Sequence, residues 1–166
     1  MASDYERARD FAVRYLGYAP RTRKQLRDKL AEKQFSDEAI ADVMQLLTEK
    51  GYLDDITFAQ NYISHKTRIN NYGRRRIAVD LLRKGVGKED IQAAYSAISE
   101  RDGEEAEKEN ETAAARRALD KRLGRRDIDE VKKDPKELQR LMAYLVRRGF
   151  SYDVVKKALQ SHEEEQ

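Results

Sequence analysis

Three stretches of the chain repeat one spacing of hydrophobic residues. Each begins with two apolar residues four positions apart. After a short break come an apolar residue and, directly after it, a small or hydroxyl-bearing residue. Another apolar residue follows four positions after that small residue. The three sets are Leu26, Leu30, Phe35, Ser36 and Ile40, then Ile77, Leu81, Val86, Gly87 and Ile91, then Leu141, Leu145, Phe150, Ser151 and Val155. Because residues four apart share one face of a helix, each set predicts a helix, a turn and a second helix.

A further apolar stretch precedes each set and adds one helix to the repeat. Its members are Phe11, Ala12, Tyr15 and Leu16, then Phe58, Ala59, Tyr62 and Ile63, and more weakly Ala114, Ala115, Ala118 and Leu119. The sequence therefore predicts an all-α protein of three tandem three-helix, helix-turn-helix-like units, spanning residues 4–50, 54–99 and 103–163. Units this small must share core with their neighbours, which predicts an elongated, curved array with Leu30, Leu81 and Leu145 buried.

Polar residues mark where several of these helices begin. Thr22 and Gln25 have the spacing of a capping box, and Ser36 is placed to cap the helix that follows. Asp134 followed by Pro135 predicts another helix start, since proline is favoured in the first turn.

Charge is segregated along the region between the second and third sets. Residues 100–111 are mainly acidic and residues 116–126 mainly basic, which predicts one long, polarised helix. Residues 127–133 are predicted to form a loop, and the last helix is expected to fray at residues 163–165.

Composition limits the chemistry available to the chain. Charged residues make up 39% of the 166 residues, glycine and proline are scarce, and cysteine is absent, so neither disulfides nor thiolate catalysis is available. The sequence contains neither a signal peptide nor an 18-residue apolar run, which predicts a cytoplasmic protein without a membrane partner.

Few residues are candidates for catalysis or metal binding. The two histidines, His65 and His162, lie among polar residues, and the adjacent Asp54 and Asp55 are placed to cap a helix rather than to bind a cation. No phosphate-binding glycine loop or paired nucleophile and base occurs. The sequence thus predicts a protein that is not an enzyme and that binds neither cofactor nor metal.

Basic residues in equivalent repeat positions are the candidate binding residues. Although the formal net charge is only +3, residues 66–88 contain eight Lys or Arg and the single Asp80. The predicted partner- and DNA-binding residues are Arg23, Lys24, Arg74, Arg75, Arg76, Arg83, Lys84 and Arg148. Arg74–Arg76 crowd a helix start, where positive charge is unfavourable, and a polyanionic or acidic partner would explain their presence.

A helix-turn-helix pattern also raises the alternative of a DNA-binding transcriptional regulator. Such proteins read DNA with the helix after the turn. Here that helix begins with Asp37 and Glu38 in the first repeat and with Glu89 and Asp90 in the second. Because phosphate repels acidic helices, this alternative is less favoured than binding through the basic second helices.

Three segments resemble the RecX regulatory proteins. They are G-Y-L-D-D-x-x-F-A-x-x-Y at residues 51–62, Y-G-R-R-R-I-x-x-x-L-x-R-K-G-V at 72–86, and R-T-R-K-Q-L at 21–26, the last with Thr22 and Gln25 in place of the family's Ser and Glu. Gln34 stands where the family usually has glycine.

This resemblance implies a cytoplasmic bacterial modulator of the RecA recombinase. Such proteins bind the RecA filament on DNA and modulate, in general restrain, its strand exchange, ATP hydrolysis and coprotease activity, with effects on DNA repair and the SOS response. The expected partners are the RecA filament and non-specific single- or double-stranded DNA, and the protein is expected to be a monomer.

Overall fold

The computed structural model describes residues 2–161, and these form ten α-helices and no strand. The helices are α1 (Asp4–Tyr18), α2 (Arg23–Glu32), α3 (Asp37–Glu49), α4 (Asp55–Arg68), α5 (Arg74–Arg83), α6 (Lys88–Asp102), α7 (Glu104–Leu123), α8 (Ile128–Lys133), α9 (Pro135–Arg147) and α10 (Tyr152–Ser161). The prediction of an all-α chain is confirmed for this range. His162, the residues expected to fray and the end of the third predicted unit lie outside it.

The chain divides into two compact units, of which the first contains the described residues up to Gln60 together with Leu81–Ala94. Its main core lies among the first three helices and their connection to α4. The buried residues of this core are Ala8, Ala12, Leu26, Leu30, Ala39, Ile40, Val43, Met44, Leu47 and Leu53. Phe11 packs beside this core with Tyr15 and Phe35, at ring-centroid distances of 6.0 Å.

The second unit contains Asn61–Asp80 and the described residues from Tyr95 onward. Its core is formed by α7 to α10, with alanines of α7 providing a small-residue face. The buried residues are Ala114, Ala115, Ala118, Leu119, Leu123, Ile128, Val131, Leu141, Leu145, Phe150, Val155, Ala158 and Leu159.

The three equivalent leucines are buried as predicted. Leu30, Leu81 and Leu145 are each 0% exposed. The predicted capping residues are also confirmed: Thr22 and Gln25 form the reciprocal capping box of α2, and the hydroxyl of Ser36 and the carboxylate of Asp134 cap α3 and α9.

The turn after the second helix has the same geometry in all three repeats. Gln34, Gly85 and Gly149 have φ angles of +61°, +87° and +94°, in the left-handed region that favours glycine. In each turn the next amide reaches back to the carbonyl five residues earlier, as from Phe150 to Leu145. This is the Schellman pattern that ends many helices. Gln34 keeps the turn, although its side chain makes the conformation less favourable.

Two predictions for the region between the second and third sets are wrong. The single helix expected over residues 100–126 is interrupted at Gly103, whose φ of +91° ends α6 and places the start of α7 at Glu104. Residues 127–133, expected as a loop, contain α8, because the Asp127 carboxylate caps this six-residue helix and Ile128 and Val131 bury one side of it.

Candidate functional site

The eight predicted binding residues are divided between the two units. Arg23, Lys24, Arg83 and Lys84 belong to the first, and Arg74, Arg75, Arg76 and Arg148 belong to the second.

In the first unit, the start of α2 lies against the end of α5. The buried hydroxyl of Thr22 donates to the carbonyl oxygen of Lys84 at 2.6 Å. The side chain of Lys24 covers Gly85 so closely that a Cβ at that glycine would lie 2.4 Å from the Lys24 Cβ. These contacts make Lys24 and Lys84 neighbours, while the backbone N–H of Arg23 donates to the Asp55 carboxylate at 2.9 Å.

In the second unit, the start of α5 meets the end of α9. The N–H of Gly73 donates to the carbonyl of Arg148 at 2.9 Å, and the N–H of Arg75 donates to that of Gly149 at 3.1 Å. A Cβ at Gly73 would lie 2.4 Å from the carbonyl carbon of Gly149, so the backbones touch only because glycine occupies this position. Amides and carbonyls that a helix terminus leaves unpaired thus satisfy one another.

The two junctions use equivalent residues of successive repeats. Thr22 corresponds to Gly73, and Lys84 corresponds to Arg148. In the first unit the start of α2 therefore contacts the end of α5, and in the second unit the start of α5 contacts the end of α9 in the same way. The basic residues at these positions are neighbours within each unit. At the second junction, cations at the start of α5 also lie near the terminal carbonyls of α9, where positive charge is favourable. Their position alone therefore does not require an external partner.

The ring of Tyr72 contacts two of the predicted arginines. The guanidinium carbons of Arg76 and Arg148 lie 4.2 and 4.8 Å from the centre of its ring. Arg148 also donates to the carbonyl of Asn71 at 3.1 Å and to that of Asn70. Arg148 is therefore held by the loop between α4 and α5, and it fixes that loop next to the start of α5.

A further arginine that the sequence analysis did not single out holds the same loop. Arg117 of α7 donates from Nε to Oδ1 of Asn71 at 2.8 Å and from Nη2 to the carbonyl of Thr67 at 3.4 Å. It belongs to the basic run at residues 116–126, but nothing in that run distinguishes it from its neighbours. Only the packing of α7 beside the loop brings it to the candidate surface.

Arg74 is bound by acidic residues that the sequence analysis also missed. Its Nη1 lies 3.2 Å from Oε1 of Glu107, and its backbone N–H donates to Oε1 of Glu111 at 2.9 Å. Its guanidinium lies 3.9 Å from the ring centre of Tyr95, and the hydroxyl of Ser99 donates to Glu107. Glu107 and Glu111 stand one helical turn apart on α7, so both face the start of α5.

A cavity of about 350 Å³ adjoins this cluster. Arg68, Arg74 and Arg101 line it together with Tyr95 and Glu107. The hydroxyl of Tyr95 is buried without a hydrogen-bond partner, and burial raises the pKa of this phenol well above its ordinary value. The Tyr95 hydroxyl therefore stays protonated and acts as a potential donor.

The guanidinium groups differ in how open they are to a partner. Arg75 and Arg76 are exposed, Arg74 is 52% exposed in its side chain, and Arg148 is half-buried. Exposed guanidiniums suit phosphate or carboxylate groups, which accept charge-assisted hydrogen bonds. We define the basic junction as Arg74, Arg75, Arg76, Arg117 and Arg148 of the second unit.

The paired aspartates at the start of α4 serve backbone groups. Asp54 accepts from the amides of Ile56 and Thr57, and hydrogen bonds from Thr57 lower its pKa. Asp55 is buried, and burial raises its pKa against the opposing effect of the amide of Arg23. Within residues 2–161, no group of three or more acidic or histidine side chains is arranged to hold a metal ion.

No helix in the described part of the chain combines the length and apolar character needed to span a membrane.

Comparison with family models assigns all three repeats. The models of the first, second and third three-helix domains of RecX match residues 8–47, 54–94 and 109–159. The regulatory protein RecX of Thermobifida fusca (strain YX) is 33% identical over 163 residues, which cover 95% of this chain and 81% of that protein. The regulatory protein RecX of Finegoldia magna is also 33% identical, with coverage of 93% and 71%.

Solved structures share the fold. The crystal structure of RecX from Lactobacillus salivarius matches with a TM-score of 0.81 at 20% identity, covering 99% of both chains. A second structure, described as the crystal structure of regulatory protein RecX, matches with a TM-score of 0.73 at 22% identity, covering 92% of this chain and 70% of the other.

Proposed function

The chain belongs to the RecX family of regulatory proteins, and from this premise we propose that it binds the RecA recombinase filament on DNA and inhibits the filament's activities. The observation that carries the proposal is the basic junction, where exposed guanidiniums of Arg75 and Arg76 lie beside Arg148 on a backbone fixed by glycine contacts. A rigid group of cations suits the regularly spaced anionic groups of a nucleoprotein filament.

The chemistry of this contact is electrostatic and independent of base sequence. Guanidinium groups bind phosphate oxygens with fixed geometry, and phosphate contacts position a protein without reading bases. If about five phosphates of a single strand are neutralised, the logarithm of the affinity should fall against the logarithm of salt concentration with a slope of roughly −3.5. A flat salt response would contradict a phosphate contact.

The direct test is the DNA-dependent ATPase of RecA with this protein titrated in. Inhibition at well below one molecule per recombinase supports binding to the filament, because each bound molecule then affects many subunits. Tight binding to one duplex sequence without inhibition would instead support the alternative of a transcriptional regulator.

A pair of charge reversals tests the assignment to the basic junction. Arg75→Glu changes an exposed side chain and retains the backbone bond to Gly149, so the fold should persist while inhibition weakens. Lys156→Glu makes the same charge change on an exposed position of α10, the third helix of the third repeat. If the protein acts on the filament through the basic junction, Arg75→Glu should weaken its activity more than Lys156→Glu. If it reads DNA with its third helices, Lys156→Glu should have the larger effect.

A further inference from the structure

We infer that Glu107 and Glu111 form an internal ligand for the start of α5, which an anionic partner must displace before Arg74 can contribute to binding. The inference rests on the proposed function, because it concerns regulation of the same basic junction. In this role, carboxylates of α7 compete with phosphate for the donors at the start of α5.

The two carboxylates occupy the position that an anion would take at a helix start. Helix N-termini attract phosphate through their free amides and their positive partial charge. At α5, the amide of Arg74 is already bonded to Glu111, and its guanidinium is paired with Glu107. A carboxylate and a phosphate oxygen accept the same charge-assisted bonds, so they compete for the same donors.

The pair is arranged so that Arg74, rather than Glu107, is the partner that can leave. The Glu107 side chain is 18% exposed and accepts a second hydrogen bond, from Ser99. The Arg74 side chain is 52% exposed and lies at the edge of the cavity. Because the Arg74 side of the ion pair remains open to solvent, the pair contributes only modest net stability, and a phosphate can replace the Glu107 carboxylate as the partner of Arg74.

Because of this competition, the number of arginines that bind depends on how strongly anionic the partner is. Arg75 and Arg76 are exposed and available for first contact, whereas Arg74 joins only when an anion comes near enough to replace the carboxylates. A strongly anionic partner, such as a nucleic-acid strand with closely spaced phosphates, therefore gains one more contact than an isolated surface carboxylate does.

The test measures binding of a fluorescent single-stranded oligonucleotide across a range of salt concentrations. The double variant Glu107→Gln and Glu111→Gln removes the internal charge, and its matched control, Glu105→Gln and Glu109→Gln, removes the same charge from the opposite side of α7. We expect roughly threefold tighter binding than the control, as release of one half-exposed ion pair allows. The salt slope should change little between the two variants, because the strand contacts the same number of phosphates once Arg74 has been released from the carboxylates.

Two further variants separate the internal ligand from net charge and from folding. Glu107→Asp with Glu111→Asp shortens both side chains at unchanged net charge, and it should also tighten binding. Adding Arg74→Gln to the double glutamine variant should abolish the gain, as expected for a coupled pair. Melting curves confirm that each variant is folded, and the aspartate variant serves the same test if the glutamine variant does not fold.

The outcomes distinguish this inference from the proposed function. If the parent binds DNA and the glutamine variant matches its control, the internal ligand is refuted while the DNA contact stands. If binding is absent from the parent and from every variant, the DNA contact fails and the internal competition fails with it. Binding that appears only when the carboxylates are removed supports the inference.

Discussion

The hydroxyl of Thr22 donates to the carbonyl of Lys84, 62 positions later in the chain, at 2.6 Å. The same hydroxyl accepts from the amide of Gln25 at 3.2 Å. Thr22 is 0% exposed, so both bonds are shielded from water. One side chain therefore caps α2 and fixes its start against the end of α5.

Replacing Thr22 with valine should destabilise the protein by about 2 to 4 kcal/mol. The change preserves shape but removes the cap of α2 and the donor to Lys84, and each loss has a cost when the groups are buried. Chemical denaturation measures the free energy of unfolding. Thr22→Ser retains the hydroxyl and should cost less, and equal losses in the two variants would show that the methyl group contributes as much as the hydroxyl and its two hydrogen bonds.

Replacing Gln34 with glycine should stabilise the protein by about 0.5 to 1 kcal/mol. The gain is the relief of a left-handed conformation at φ +61°, reduced by the greater freedom of glycine in the unfolded chain. Thermal and chemical denaturation should both report it. Gln34→Ala retains a Cβ in the same conformation and should change stability little, so a matching gain from alanine would contradict the backbone explanation.

Asp55 should make stability decrease as pH rises. Burial places its folded-state pKa above the ordinary 3.8, so the folded protein holds this proton more tightly than the unfolded chain. Stability is then lost as pH rises from the unfolded pKa through the folded pKa, and the loss persists at neutral pH. Asp55→Asn should therefore melt at a higher temperature than the parent at about pH 7, and this advantage should disappear at about pH 3.

Asp54 provides the opposite control at the adjacent position. Hydrogen bonds from Thr57 place its folded-state pKa below 3.8, so its stabilising contribution is present above the unfolded pKa and is lost as pH falls through the folded pKa. Asp54→Asn should lower the melting temperature at neutral pH, with a deficit that shrinks in acid. Parallel pH profiles for the two variants would contradict the assigned environments.

Truncation of two neighbouring leucines tests the core of the second repeat. Leu81 is 0% exposed and Leu82 is 42% exposed. Leu81→Ala should cost about 2 to 5 kcal/mol through lost burial and the cavity left behind. Leu82→Ala on the same helix should cost less than about 1 kcal/mol, as is usual at exposed positions. Similar losses would show that Leu82 also packs against the core.

Local signals in the sequence predict much of this fold. The period of Leu26, Leu30 and their equivalents identifies helix faces because burial selects apolar residues there, and the caps at Thr22 and Ser36 act within a few residues of themselves. The same reasoning misses α8, because its six residues are too few to show a helical period. It also extends one helix across Gly103, where a single left-handed backbone angle outweighs the helix-forming residues around it.

The candidate site is less predictable, because its contacts join residues distant in sequence. Arg74 could be named from its position in a basic run, but its pairing with Glu107 depends on how α7 packs. Likewise, Arg117 reaches Asn71 across 46 positions, and no periodicity along the chain reports such a contact.

The backbone bonds between α5 and α9 also set an order of events during synthesis. The amides of Gly73 and Arg75 find their acceptors at Arg148 and Gly149, roughly 75 residues later in the chain. At a translation rate of roughly 5 to 20 residues per second, those acceptors emerge about 4 to 15 s after the donors. The second unit cannot close its junction on the ribosome until nearly the whole described chain has been made, so the basic junction forms late in the protein's synthesis.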